Sequence, residues 1–285
     1  MAVTAGRSRL SRAPAPLLVV GSVVSVQIGG ALAKHVIHDV GPSGATALRL
    51  VFAAIVLVAI WRPRVSQAEL PLIVLYGVTL GVMNLLFYEA LARAPLGAVV
   101  TVEFLGPLAV AVAGSRSPRD AGVVVLAGAG ILLLARGGGP VSAVGLVLAA
   151  LAGSCWGVYI LVSAEVGRRH PGTAPLAVAM SIAALVTVPF GTSGALHVGG
   201  RAFGLAALIA VLSSVLPYTM ELEALRRLPA RVFGVLMSME PAVAALAGLV
   251  ILGERLSGRQ WAGVGCVIVA CAAVTISRRE PAPPA

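Results

Sequence analysis

Charged residues are scarce in this chain of 285 residues. Asp, Glu, Lys and Arg make up 11% of the sequence, whereas hydrophobic residues make up 59%. Soluble globular proteins contain about 25% charged and roughly 45–50% apolar residues. Apolar runs of about twenty residues, the length that crosses a bilayer as a helix, recur from end to end. These proportions exclude a single water-soluble domain and indicate a membrane protein with many spanning segments.

Other absences narrow the function. The three cysteines, Cys155, Cys266 and Cys271, lie in apolar stretches without the paired spacing of a disulfide framework or a metal site. No GxxxxGK[ST] loop is present, which disfavours ATP-driven transport by this chain alone. The aromatic residues lie among aliphatic ones, so the net charge of +10 does not form a face for nucleic acid. We therefore expect no cofactor, no metal and no nucleic-acid partner.

Apolar runs bounded by Arg, Pro and Gly clusters predict an all-α polytopic membrane protein with ten transmembrane helices and short loops. The predicted helices span residues 17–34, 44–61, 70–92, 96–114, 119–135, 142–164, 174–191, 202–225, 230–253 and 258–277. They leave no room for a soluble catalytic domain. The basic segment 1–16 and the segment 278–285 are predicted to be disordered tails, the first held near anionic lipid.

The chain contains two similar halves. The segment EALARAP at 89–95 matches EALRRLP at 223–229, and GPLAVAVAG at 106–114 matches EPAVAALAG at 240–248. Both matches have an offset of 134 residues. We therefore predict five-helix repeats at 17–135 and 142–277, joined by a linker at 136–141. Because five is odd, the second copy enters the membrane in the opposite sense, and the repeat is inverted.

The basic residues predict the orientation of these helices. With the N-terminus inside, cytoplasmic segments hold fourteen of the 21 basic residues and external segments hold six, while Arg49 lies inside a helix. An excess of Arg and Lys marks the cytoplasmic side, so both termini are predicted to be inside. Inverted repeats are a common plan for secondary transporters, because two similar bundles can exchange inward-open and outward-open arrangements.

Two copies with a proline in the fourth helix, the second ending in EPAVAALAGLVILGERLSGRQWAG, resemble the EamA domain of the drug/metabolite transporter superfamily. The resemblance covers residues 17–277, and its most specific marks are Glu240-Pro241 and Gly253-Glu254-Arg255. Within the family, EFLGPLAVAVAGSR at 103–116 is similar to the threonine and homoserine exporters of the bacterial inner membrane. The resemblance implies a carrier whose central cavity is lined by helices one to four and six to nine.

Charged side chains inside a membrane cost several kcal/mol unless they are paired or hydrated, so each is a candidate site. Glu103 lies about 10 Å into predicted helix four, and Glu240 lies about 15 Å into predicted helix nine. Pro107 and Pro241 follow them, and each is expected to kink its helix. A carboxylate here either takes the driving proton, holds a substrate ammonium group, or pairs with Arg49. Arg49 either clamps a substrate carboxylate or forms that structural ion pair.

Polar and aromatic residues add a second set of candidates. Gln27 in helix one corresponds to Tyr159 in helix six at an offset of 132, and Asn84 in helix three corresponds to Tyr218 in helix eight at 134. These four side chains are expected to face one another across the pseudo-twofold axis. Trp156 shares a helical face with Tyr159, where it either lines a cavity or packs the bundle.

Several remaining polar residues have structural interpretations. Glu89 with Arg93 and Glu223 with Arg227 are spaced i to i+4, which predicts interfacial ion pairs. Glu254 lies at a helix end and is expected to be solvated.

A third helix kink is expected at Pro217, and Glu221 follows it by one turn without an assigned role. His35, His38 and Asp39 at the outer end of helix one form a wet interfacial loop, because a metal site needs more ligands within reach.

The sequence thus predicts a secondary active transporter rather than an enzyme, because the four histidines form no catalytic grouping. We expect alternating access, export of small neutral amino acids such as threonine or homoserine, and coupling to protons across a bacterial plasma (inner) membrane. The alternatives are an exporter of drugs or nucleosides with the same fold and, less favoured, a polytopic membrane enzyme. The expected partners are the substrate, protons and the lipid bilayer, and a monomer is compatible with the sequence.

Overall fold

A computed structural model describes residues 13–63, 70–113, 118–135, 141–169, 174–195, 199–225, 227–228, 233 and 236–277. These residues form helices joined by short turns. The helices are α1 (Ala15–Trp61), α2 (Leu70–Leu91), α3 (Leu96–Glu103), α4 (Leu105–Val112), α5 (Pro118–Ala135), α6 (Ala143–Arg169), α7 (Ala174–Ala195), α8 (Gly200–Ala210), α9 (Leu216–Leu225), α10 (Glu240–Leu252) and α11 (Gly258–Ser277). A π-helical turn, Val211–Val215, connects α8 to α9.

Five of the described helices are long and apolar enough to cross a membrane, judged by length and composition. They include α1, which has 47 residues and is about twice the length that one crossing needs. Four shorter apolar helices lie at Leu96–Val110, Ala121–Leu134, Glu240–Leu252 and Gly258–Ala273. The structure is that of a multi-pass membrane protein, and the count of ten spans stays a prediction.

Helix α1 joins the first two predicted helices with almost no loop between them. Its backbone leaves the helical conformation at Gly41, where φ is 75° and ψ is 165°. Glycine adopts this positive φ without steric cost. The part of α1 after the break begins with Pro42. Proline is favoured at the start of a helix, because the N–H that it lacks would have no partner there. The prediction of a loop between the first two helices, at residues 35–43, is therefore wrong, because the helix continues as far as the break. His35, His38 and Asp39 lie on α1.

Prolines mark the other breaks in the helices. The helix predicted at 96–114 is divided at Phe104 into α3 and α4, because Pro107 has no N–H to donate to the carbonyl of Glu103. The helix predicted at 202–225 widens into the π-helical turn just before Pro217. Pro241 lies in the first turn of α10 rather than inside a longer helix, and part of the region before it is outside the described residues.

Small residues bring the helix axes close together. A Cβ atom added to Gly97 of α3 would lie 2.6 Å from the Cα of Ala245 in α10. One added to Gly130 of α5 would lie 2.8 Å from the carbonyl oxygen of Gly263 in α11. Such approaches are typical of helix pairs in membranes, where close van der Waals packing replaces the hydrophobic effect. The fourth and ninth predicted helices, and the fifth and tenth, therefore pack as pairs.

Segments that the arginine count assigns to one side of the membrane meet in the structure. Lys34 Nζ donates to the carbonyl oxygen of Ala94 at 2.7 Å, and the Ser142 N–H donates to the carbonyl oxygen of Arg93 at 3.3 Å. At the opposite end of the bundle, Arg227 Nη1 donates to the carbonyl oxygen of Ala13 at 3.0 Å. The two ends are called here the Lys34 end and the Ala13 end.

The close approach of α5 and α11 predicts that Gly130→Val destabilises the protein. The new Cβ would meet the Gly263 carbonyl, so the helices must separate, at a cost of about 1–3 kcal/mol. Gly128→Val is the matched control, because a Cβ atom at Gly128 meets nothing within 4 Å. Thermal unfolding in detergent should show a lower midpoint for the first variant than for the second. Equal midpoints would contradict this packing.

Candidate functional site

A cavity of about 160 Å³ lies between α1, α2, α3, α6, α9 and α10. It brings together all of the polar and aromatic candidates selected from the sequence, which come from both halves of the chain. These are Gln27, Arg49, Asn84, Glu103, Trp156, Tyr159, Tyr218 and Glu240. Pro217 also lines it, whereas the other two kink prolines, Pro107 and Pro241, do not. We call this space the central cavity.

Glu240 is held in the central cavity by an amide from the other half of the chain. Gln27 Nε2 donates a hydrogen bond of 2.9 Å to Glu240 Oε1. Both side chains are buried, with 2% of Gln27 and 7% of Glu240 exposed. Glu240 Oε2 is also buried and has no hydrogen-bond partner. An unpartnered carboxylate oxygen at this depth is costly, and it marks a position where a cationic or hydrogen-bonding ligand is favoured.

Arg49 is held by an amide and an aromatic ring. Its Nη2 donates to Asn84 Oδ1, and Asn84 Nδ2 donates to the carbonyl oxygen of Leu80 at 2.8 Å. Its Cζ lies 5.1 Å from the centroid of the Tyr88 ring, within the range of a cation–π interaction. Arg49 Nε is buried without a partner. Within the described part of the chain, no carboxylate lies within 4.0 Å of this guanidinium, so the structural ion pair, one of the two alternatives for Arg49, is not formed there.

Glu103 ends α3, where the helix breaks, and its carboxylate faces the central cavity. The following residue, Phe104, packs edge-on against Trp156 with ring centroids 4.9 Å apart. Across the cavity, the Tyr76 hydroxyl donates to the Tyr159 hydroxyl at 3.3 Å. Trp156 therefore both lines the cavity and packs the bundle, which were the two alternatives.

Glu221 is a cavity residue to which the sequence assigned no role. It lies on α9 and accepts a hydrogen bond of 2.5 Å from Ser22 Oγ on α1. The two residues are 199 positions apart in the chain, so no local pattern indicates their contact. The available signal was an acidic residue one turn after Pro217 within an apolar run.

The contact at the Lys34 end ties three segments together. Lys34 Nζ donates to Glu254 Oε1 at 2.5 Å, and Glu254 Oε2 accepts a hydrogen bond of 2.8 Å from the Leu96 N–H. The prediction that Glu254 is solvated is wrong, because its carboxylate pairs with Lys34 and caps the N-terminus of α3. The predicted interfacial pairs Glu89–Arg93 and Glu223–Arg227 are confirmed.

The two histidines of α1 that precede the break at Gly41, His35 and His38, lie at the surface. His38 Nδ1 lies 3.5 Å from Asp39 Oδ1, and the two side chains are 91% and 58% exposed. Across the described ranges, no group of three or more His, Cys, Asp or Glu side chains is placed to hold a metal ion.

The profile of the EamA-like transporter family matches the chain twice, at residues 13–135 and 143–276. The chain belongs to this family. The central cavity is thus the polar interior of an EamA-like transporter, and its residues come from both matched segments.

Relatives with similar sequences are named as transporters rather than enzymes. Threonine/homoserine exporter RhtA of Salmonella typhimurium (strain LT2) is 44% identical over 276 residues, covering 93% of this chain and 92% of that protein. RhtA of Escherichia coli (strain K12) is 43% identical, covering 94% and 92%. The uncharacterized transporter YwfM of Bacillus subtilis (strain 168) is 25% identical, covering 86% and 89%.

A solved structure described as "Crystal structure of protein" shares the fold, with a TM-score of 0.64 and 24% identity. The likeness covers 94% of this chain and all of the solved one, 100%.

The bond between Gln27 and Glu240 predicts energetic coupling between the two side chains. In a double-mutant cycle with Gln27→Met and Glu240→Met, we expect a coupling free energy of about 0.5–1.5 kcal/mol, the usual net contribution of one hydrogen bond. Gln260→Met replaces Glu240→Met in the control cycle, since buried Gln260 bonds to Ser257 instead. Unfolding in mixed micelles measures both cycles, and additive effects in the first cycle would contradict the contact.

Proposed function

We propose that this EamA-like transporter exports threonine, homoserine or similar small neutral amino acids across a bacterial plasma membrane, by alternating access and with protons as the coupling ion. The observation that supports this substrate class is the pair of unpartnered groups in the central cavity. A buried guanidinium nitrogen, Arg49 Nε, and a buried carboxylate oxygen, Glu240 Oε2, both lack partners. An amino acid zwitterion carries one group of each matching charge.

The chemistry of these two groups fits an amino acid better than a drug or nucleoside. Arg49 offers its planar fork to the substrate carboxylate, while Glu240 offers an acceptor to the substrate ammonium group. Gln27 hydrogen-bonds to Glu240, and Asn84 hydrogen-bonds to Arg49. Because these bonds already fix the two charged side chains, little reorganisation of the site is needed when the substrate binds. The cavity of about 160 Å³ is also smaller than the roughly 300–1,000 Å³ of sites for drug-sized ligands.

Proton coupling follows from the imbalance of charge in the central cavity. Among the described residues, three carboxylates line the central cavity, those of Glu103, Glu221 and Glu240, together with one guanidinium, that of Arg49. In a low-dielectric interior, such like charges are not all ionised at once unless cations neutralise them. Protons and the substrate ammonium group are the two sources of that neutralising charge.

Two features support alternating access. The pairing of helix four with nine and of helix five with ten is the one that two inverted five-helix repeats would produce about a pseudo-twofold axis. In addition, Lys34 and Glu254 fasten α1, α3 and the segment after α10 at one end of the bundle. The Lys34 end is predicted to be external. In the proposed cycle this contact closes the external side of the cavity, and it must break for the substrate to leave.

The proposed substrate contacts predict loss of transport in three variants. Arg49→Met, Glu103→Gln and Glu240→Gln should each reduce threonine flux in proteoliposomes by at least about tenfold, equivalent to about 1.4 kcal/mol of lost binding or barrier stabilisation. Because Arg49→Met also removes the hydrogen bond to Asn84 and the contact with Tyr88, thermal unfolding in detergent must show that this variant is folded before its flux is compared. Glu89→Gln is the control, since Glu89 pairs with Arg93 outside the cavity. Unchanged flux in all three variants would overturn the proposal.

The contact at the Lys34 end predicts a gate. In a cysteine-free background, Met83→Cys places a thiol in the cavity, and its labelling by an impermeant reagent added outside measures opening. Lys34→Met should raise the labelling rate about tenfold if the contact contributes about 1.4 kcal/mol. Arg93→Met is the control, because it breaks a neighbouring ion pair at the same end. Equal labelling in the two variants would argue against a gate.

A further inference from the structure

Glu221 is the carboxylate that borders two cavities. Besides the central cavity it lines a second one of about 300 Å³, next to Trp156 and Met237, which also line both. The remaining walls of the second cavity are largely apolar and include Phe104, Leu108 and Ile160. A charged group between two spaces of such different polarity is positioned to exchange protons with both.

The position of Glu221 is fixed by α1. Ser22 Oγ donates to its Oε1 at 2.5 Å, and the backbone of α1 approaches α9 nearby, where a Cβ atom added to Gly21 would lie 3.4 Å from Met220 Sδ. One turn further along α1, Ser25 Oγ donates to the carbonyl oxygen of Leu212 at 2.7 Å. The bond to Ser22 uses one carboxylate oxygen, and a carboxylate has a second oxygen that can carry a proton.

The other carboxylates of the central cavity, Glu103 and Glu240, can accept a proton from Glu221. Glu240 lines the same central cavity as Glu221, and its Oε2 is buried without a hydrogen-bond partner among the described residues. A polar cavity of about 160 Å³ has room for several water molecules between these groups. The other titratable or charged groups that line the two cavities are Arg49, Glu103, Tyr159, Tyr218 and Cys271.

We propose that Glu221 passes protons between the second cavity and the carboxylates of the central cavity. This inference rests on the proposed function, since it concerns the coupling ion of the same transport cycle. A hydronium ion that reaches the second cavity gives a proton to a Glu221 oxygen, so that an O–H bond of the hydronium breaks, one forms on Glu221, and neutral water is left. The proton then leaves for Glu240 through water in the central cavity, so Glu221 returns to its carboxylate form and Glu240 becomes neutral. The reverse sequence releases the proton.

A relay residue is needed for net proton-driven transport but not for exchange of substrate across the membrane. In proteoliposomes, counterflow of radiolabelled threonine without a pH gradient measures exchange, and uptake driven by an imposed pH gradient measures coupled transport. Glu221→Gln should lower gradient-driven flux by at least about tenfold while counterflow stays within about twofold of wild type. Glu221→Asp keeps a carboxylate and should restore most of the gradient-driven flux.

The control is Glu223→Gln, two residues along the same helix, because Glu223 pairs with Arg227 and lines neither cavity. It should leave both fluxes unchanged. Ser22→Ala keeps the Glu221 carboxylate but removes its donor, so it should slow gradient-driven flux more than counterflow. This variant keeps the inference testable if Glu221→Gln does not fold.

The outcomes separate the two proposals. Equal loss of counterflow and gradient-driven flux in Glu221→Gln would overturn the relay and make Glu221 a binding or structural residue. No change in either flux would also overturn it. Absence of threonine counterflow in the wild-type protein would instead overturn the proposed substrate. Counterflow in the wild-type protein without any response to a pH gradient would overturn proton coupling and the relay together.

Discussion

The energetic cost of burying charge in a membrane governs the centre of this protein. Arg49 and Glu103 are each 8% exposed within a bundle of apolar helices. Such side chains are tolerated only where partners or water stabilise them. Here the partners come from helices distant in the sequence, as when Gln27 of the first half bonds to Glu240 of the second. The polar centre therefore exists only when the two halves are assembled.

Helix breaks and small residues create the space for this polar centre. The turn at Phe104 ends α3 at Glu103, and the π-helical turn before Pro217 places Tyr218 and Glu221 along the cavity. Irregular backbone at membrane depth is tolerated when it lines a cavity rather than lipid. Around the cavity, contacts such as that of Gly97 with Ala245 keep the helices close. Close helix packing around the cavity and helix breaks at the cavity wall thus act together to form the polar centre.

The sequence was sufficient to identify most of the polar residues of the central cavity, but not Glu221 and not the partners of the residues that it identified. Gln27, Arg49 and Glu240 stood out because a polar side chain in an apolar run is costly, and that cost can be read without a structure. The breaks near Pro107 and Pro217 were predictable because proline lacks an N–H. The sequence predicted a loop over residues 35–43, whereas the helix breaks only at Gly41. Glycine can adopt several backbone conformations, so its presence alone does not locate the break. The pairs Ser22–Glu221 and Lys34–Glu254, 199 and 220 residues apart, depend on tertiary packing that no local pattern encodes.

The lysine at the Lys34 end has a chemical consequence of its own. The sequence contains twenty arginines and one lysine, Lys34. Its ammonium group can direct separate donors toward the Glu254 carboxylate and the Ala94 carbonyl, whereas a planar guanidinium is suited to a flat, two-pronged partner. Because arginine does not acylate under mild conditions, an amine-selective reagent has a single side-chain target in this protein. Lys34 is therefore a single attachment point for a spectroscopic label where α1, the N-terminus of α3 and the segment after α10 meet.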